Sequence, residues 1–190
     1  MTDRKPLRAD AARNRERVLT AARAAMTAGD LSLQLNELAR QAGVGVGTVY
    51  RNFPTRQALL EALADNRFEQ LLAEVEAATA EPDAWTALTR LARAAVAMAL
   101  AEPGLAEVMV TEEDAGAGTT DRKRRLDAAT GELLRRARQD GRLTAEVDAE
   151  DLRRLLCGVL HAAANSPEPE AAAERYLTIL LHGLRPPSGR

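Results

Sequence analysis

The chain has 190 residues, 46% hydrophobic and 28% charged, with a formal net charge of −2. That length suits one domain, or a small domain joined to a larger one, and the balance is that of a soluble globular protein. No run of 18 apolar residues occurs, so no membrane span is expected.

Alanine, leucine, arginine and glutamate dominate and aromatics make up 3%, a mix that favours helix over sheet. The N-terminus is basic but carries no apolar h-region, so no signal peptide is expected. Cys157 is the sole cysteine, which rules out an intrachain disulfide and fits a reducing, cytoplasmic setting. Charge is unevenly spread. Residues 1–56 hold ten Lys/Arg against five Asp/Glu, and the remainder holds 16 against 23. A basic head on an acidic body points to a polyanionic partner, although a solvated basic face would look the same.

Residues 1–9 are polar and basic and read as a mobile arm. Asp10 is placed to N-cap a first helix over about 11–28, with Val18, Ala22, Ala25 and Met26 on its apolar face and Gly29 as its stop. A second helix is expected over about 34–42, with Leu35, Leu38, Ala39 and Ala42 on one side and Gly43 at its end. A third covers about 46–52 and ends before Pro54. Thr55 is placed to N-cap a long fourth helix to about 79.

Pro82 marks a boundary, and helices follow over about 83–101 and 104–111. Residues 112–120, "EEDAGAGTT", hold no large apolar side chain and read as an exposed loop. Further helices are expected over about 121–140, 149–164 and 169–183. No strand-period alternation or internal repeat is present. The expected fold is all-α with about nine helices. It divides into the arm (1–9), a three-helix head (10–56) and a larger helical body (57–190).

The stretch "QAGVGVGTVYRNFPTRQAL" sets the functional question. A phosphate-binding loop would need a preceding strand and a Gly-Lys-Ser/Thr, and a dinucleotide fingerprint also needs the strand; both fail on context. A helix-turn-helix succeeds at three positions. Ala39 is small where two helix axes cross, Gly43 supplies a positive backbone angle, and Val49 plugs the second helix into the core. The second helix of such a pair enters the major groove by its N-terminal end, here Gly45, Val46, Gly47 and Thr48. Small residues let the backbone approach base edges, Val46 suits a thymine methyl, and Thr48 a base or phosphate. Tyr50, Arg51, Asn52 and Arg56 are candidates for phosphate. Tyr50 reads alternatively as a half-buried core residue, and Phe53 and Leu59 read as core.

"LNELARQAGVGVGTVYRNFPTRQALLEAL" resembles the DNA-binding motif of TetR-family regulators, through Glu37, Leu38, Ala39, Ala42, Gly43, Val44, Gly47, Thr48, Val49, Tyr50, Phe53, Thr55 and Leu59. The likeness covers about residues 13–60. It implies a three-helix DNA-binding head, a helical ligand-binding body, and a homodimer in which the last two helices form a four-helix bundle with the partner's. It further implies repression relieved by a small molecule. By this resemblance Thr48, Tyr50 and Arg56 fall on backbone-contact positions, and Gly45, Val46 and Gly47 on base-proximal ones. Gly45 stands for the usual serine cap, Gln34 for a threonine, and Arg56 for a lysine.

In the body, Leu155, Gly158, Val159 and Ala162 with Leu177 and Leu181 are the candidate dimer interface. A two-fold dimer of reading helices calls for a palindromic operator in double-stranded DNA. Trp85, Met98, Met109 and Leu133 are candidates to line a pocket for an unidentified ligand, against the alternative of ordinary core. Cys157 and His161 share a helix face, but two ligands do not make a zinc site; neither a metal nor a cofactor is expected. Glu112, Glu113 and Asp114 read as a solvated acidic run. The expected function is a DNA-binding regulator, a repressor released from its operator by a small molecule. The rivals are a regulator or activator without such an inducer and, more remotely, a helical enzyme with a reader-like head.

Overall fold

The computed structural model describes residues 4–111, 113–143 and 146–186. Among them lie nine helices and no strand: α1 Arg4–Thr27, α2 Leu35–Ala42, α3 Val46–Asn52, α4 Arg56–Thr79, α5 Ala84–Ala101, α6 Pro103–Val110, α7 Ala117–Gln139, α8 Ala149–Ala164 and α9 Pro169–Gly183. The chain divides into two compact units, Met1–Leu63 and Ala64–Arg190. The first takes in the opening two turns of α4, where Leu59, Leu60 and Leu63 are buried.

The first unit is built on α1, which packs on α2 and α3. The helix starts at Arg4 rather than near residue 11, so residues 4–9 are helical; residues 1–3 lie outside the described residues. Pro6 does not prevent this, because the first four helical amides have no intrahelical acceptor and a missing N–H costs nothing there. Asp10 is therefore no cap. It sits inside the helix and pairs with Arg13, one turn on. Val18, Leu19 and Ala22 are buried on the inner face.

The α1–α2 connection is tightly held. The Asp30 carboxylate accepts the Ser32 backbone N–H at 2.9 Å and its hydroxyl at 2.6 Å. These bonds, the hydroxyl's first, hold the Asp30 carboxyl below the usual carboxylate range. Leu33 follows with φ +47°, an unusual angle for a branched residue, and its side chain is 1% exposed. Burial of that side chain, about 1.5–3 kcal/mol, offsets the backbone strain.

In the second unit each helix start has a local cause. Asp83 accepts the backbone N–H groups of Trp85 and Thr86 at the head of α5. Pro103 and Pro169 open α6 and α9. Asp148 and Asp151 cap α8 reciprocally. The guanidinium of Arg136, on α7, donates to the carbonyls of Thr79, the last residue of α4, and of Glu81 just beyond it, at 2.8 and 2.5 Å. Leu88, Leu105, Val108, Leu133, Leu134 and Leu177 are at most 1% exposed and form the centre of the core. No helix among the described residues is long and apolar enough to cross a membrane.

The expected loop over 112–120 is shorter than anticipated. Helix α7 begins at Ala117, and Thr119 is buried. Glu112 lies outside the described residues. Asp114 is not part of a solvated acidic run: its side chain is 5% exposed and takes the Lys123 ammonium at 2.5 Å and the Thr120 hydroxyl at 2.9 Å. Lys123 also donates to the Thr111 carbonyl at 2.8 Å. The partner that buries this carboxylate lies nine residues on, beyond the reach of a local charge reading.

Candidate nucleic-acid interface

The corner between α2 and α3 is set by Gly43, at φ +60°. Its N–H donates to the Arg40 carbonyl at 3.1 Å, and the Val44 N–H reaches back to the Ala39 carbonyl at 3.0 Å. This paired closure satisfies two orphan carbonyls and turns the chain at once. Neither Gln34 before α2 nor Gly45 before α3 supplies a side-chain cap. Val49 is fully buried and anchors α3; Leu38, Ala39 and Ala42 are buried on α2.

With Val49 inward, the opposite side of α3 is fixed by the helical period. Gly45, Val46, Gly47, Tyr50 and Arg51 are exposed, and Thr48 and Asn52 half-buried. Val46 and Tyr50 stand out at 46% and 45% exposure. Tyr50 is thus an outward residue and not a core one, whereas Phe53 and Leu59 are core, at 1% and 0%. Gly47 has open space where a Cβ would stand, so this face is bare backbone between two apolar projections.

The polar side chains here are already positioned. The Arg51 guanidinium donates to the Thr48 hydroxyl at 3.0 Å, and the Asn52 amide donates to the Thr48 carbonyl at 2.8 Å. Arg56 also makes contacts within the chain. Its Nε and Nη2 donate to the Leu31 carbonyl at 3.2 and 2.6 Å, and its Nε to the Ser32 carbonyl at 3.1 Å, so it ties the start of α4 to the strained α1–α2 connection. Nothing in the local pattern around Arg56 signals those acceptors, 24 and 25 residues upstream. Two arginines of α1 join the surface unforeseen. Arg15 lies 5.4 Å from the Phe53 ring centroid, and the Arg17 guanidinium lies over the Gly43 turn. Arg13, Arg23 and Arg40 pair with Asp10, Glu16 and Glu37. Arg15, Arg17 and Arg51 have no carboxylate partner among the described residues.

A short, exposed helix pinned by one valine after a glycine corner has the shape to enter a groove. Residues 18–63 match the model of the tetR family of bacterial regulatory proteins. Residues 83–186 match that of the SbtR-like transcriptional regulator C-terminal domain. The chain belongs to the TetR family. It is 32% identical to a TetR transcriptional regulator of Streptomyces coelicolor, over 92% of this chain and 99% of that one, with a TM-score of 0.55. A helix-turn-helix-type transcriptional regulator of Staphylococcus aureus is 35% identical over 80 residues, which is 41% of this chain and 42% of that relative. The structure of the SmeT–triclosan complex shares the fold at 24% identity, covering 91% of this chain and 92% of that one, with a TM-score of 0.58. A TetR-family chain is a DNA-binding transcriptional regulator and not an enzyme.

The body of this TetR-family chain contains an apolar cavity of about 80 Å³ between α4, α5, α6, α7 and α8. Met109 lines it. Trp85, Met98 and Leu133 do not. Leu133 is fully buried core, and Trp85 is buried with the Arg185 guanidinium 5.7 Å from its ring. The helical period says that these side chains are apolar and regular, not which of them borders a void. Leu88, Leu91, Leu126 and Leu152 take their place, with Asp127, Thr130, Arg153 and Cys157 as the polar members. Burial pushes the Cys157 thiol up, against the pull of Arg153, and His161 is exposed on the next turn. No group of three or more His, Cys, Asp or Glu among the described residues could hold a metal ion.

On the α8–α9 hairpin, Leu155 is 41% exposed, Gly158 and Ala162 are exposed, and Val159 is half-buried. Leu177 and Leu181 face the chain's own core, at 1% and 5%, and so are not free for a partner. Ala172, Ala173, Leu177, Leu181 and Leu184 form one buried stripe. The large apolar residue of α9 that stands exposed off that stripe is Ile179, at 70%. Its offset from the stripe is the signal that would have found it.

Proposed function

We propose that this chain is a cytoplasmic bacterial repressor that binds a palindromic operator as a homodimer and is released by a small molecule. The head, residues 10–56, reads DNA, and the body, residues 57–190, dimerises and takes the ligand. The observation that carries the reading is the outward face of α3, where Val46 and Tyr50 project beside bare glycine backbone. Gly45, Val46 and Gly47 approach base edges; Thr48, Tyr50, Arg51 and Asn52 meet the backbone. Arg56 braces the head through the Leu31 and Ser32 carbonyls and sits beside the phosphate-contacting face. Leu155, Gly158, Val159, Ala162 and Ile179 supply the dimer face. A fold neighbour captured with triclosan supports the use of the body for a small molecule.

Release follows if the ligand favours a body conformation in which the two reading helices no longer fit successive grooves. Operator and ligand must then weaken each other by the same factor. The test is selection of genomic fragments by the purified protein, followed by a reporter behind the selected sequence. Enrichment of one palindrome, with the reporter silent only while the protein is present, is the expected result. A single unpaired half-site, or a reporter that needs the protein for expression, would replace the repressor reading.

A further inference from the structure

Asp127 and Arg153 border two spaces at once. On one side is the apolar cavity, and on the other a polar recess of about 520 Å³ lined by Thr111, Asp114, Lys123, Arg124, Glu150 and Arg154 among others. The pair is poorly made. Arg153 Nε lies 3.5 Å from Asp127 Oδ1, and it is buried with no hydrogen-bond partner. Its Nη1 is committed to the Met109 carbonyl at 2.6 Å. A buried charged donor without an acceptor is costly, and any group that supplies the acceptor is favoured by that amount.

We propose that the body binds an amphipathic monoanion, whose carboxylate-type head is read by Arg153 at the mouth of the recess and whose apolar body fills the leucine-lined cavity. This rests on the reading of the body as a ligand domain. The unsatisfied group is a donor, so the missing partner is an acceptor. Among the charged groups that line the recess, Lys123, Arg124, Arg153 and Arg154 outnumber Asp114, Asp127 and Glu150. Lys123 is paired with Asp114, and Arg154 with Glu150, each at 2.5 Å, which leaves Arg153 as the cation with the poorest partner among them. Asp127, at 3.5 Å, reaches the Arg153 Nε too loosely to satisfy it. Apart from Asp127 and Arg153 the cavity wall offers only Thr130 and Cys157 as polar side chains, so the rest of the ligand must be apolar.

The experiment is isothermal titration of the full chain with octanoate, octan-1-ol, octylamine and 3-phenylpropanoate, each below its aggregation threshold. In the wild type a carboxylate should bind about ten- to a hundredfold more tightly than the alcohol, the value of a charge-assisted hydrogen bond. Arg153→Met should abolish that difference by weakening the carboxylate far more than the alcohol. Arg153→Lys, which keeps the charge, should restore part of it. Preference for octanoate would assign an alkyl body and preference for 3-phenylpropanoate an aromatic one; either supports the proposal. Equal affinity for alcohol and acid would overturn the anion but keep the ligand cavity. Tightest binding of the amine, lost in Asp127→Asn, would overturn it in favour of a cation. No response to any probe, with operator still bound, would overturn both this reading and the ligand reading that it rests on.

Discussion

Gly43 shows how much one residue decides. At φ +60° an L side chain is strained by about 1–2 kcal/mol. An added Cβ would also stand 2.8 Å from Arg17 Nη2, but that is the end of a flexible side chain and can move aside. The backbone term therefore dominates. Gly43→Ala should lower head stability by about 1–2 kcal/mol in urea unfolding, and operator affinity with it. Asp127 gives a second prediction at this scale. Its folded pKa is raised, chiefly by burial, so the native chain binds that proton more tightly than the unfolded one. The stabilisation is present below the ordinary aspartate range and is lost as pH rises through the raised value. The stability of the wild type relative to Asp127→Asn should therefore decline from acid to neutral pH. Carboxylates with depressed values, such as Asp30 and Asp83, are common to both proteins and cancel in the difference. Gly43 and Val49 were legible in the sequence because their roles are local: a turn angle and a helix period. The role of Arg56 was not, because its acceptors depend on how the α1–α2 connection folds back.

At the scale of elements, the order and extent of the helices followed from glycines, prolines and caps. The departures were at α1 and α7, where a helix continued through residues that read as polar arm or loop. In α7 the cause is the Lys123–Asp114 pair, which ties the α6–α7 connection down. Exposed pairs such as Arg135–Glu132 contribute little, because solvent screens them. Breaking a buried pair leaves a charge uncompensated and costs about 3–5 kcal/mol. Asp114→Ala should thus destabilise the body by about 3 kcal/mol, read as a lowered denaturation midpoint, whereas Glu132→Ala should change it little. The α8–α9 hairpin shows the limit of periodicity. A stripe of leucines is visible in the sequence, but whether it meets its own core or a second chain depends on the rotation of the helix, which put Leu177 and Leu181 inside and Ile179 outside.

For the molecule as a whole, the proposed division of labour between head and body can be dissected with separate variants. A charge at Ile179 or Leu155 leaves the chain's own core intact, since both are exposed. Ile179→Glu and Leu155→Glu should therefore remain folded, sediment as monomers and lose operator affinity. Retention of a dimer would move the interface elsewhere. The basic head should also make binding salt-dependent, with the slope falling by about 1 for each phosphate-contacting cation removed. The most direct test of the account is the affinity of the selected operator for wild type, Tyr50→Ala and Val46→Glu at one fixed moderate salt concentration. All three should keep the same melting temperature, because positions 46 and 50 lie on the exposed face of α3. The account predicts that both variants lose sequence-specific binding by at least about tenfold, the value of one or two lost contacts. Undiminished operator affinity in both variants would show that the outward face of α3 is not the reader.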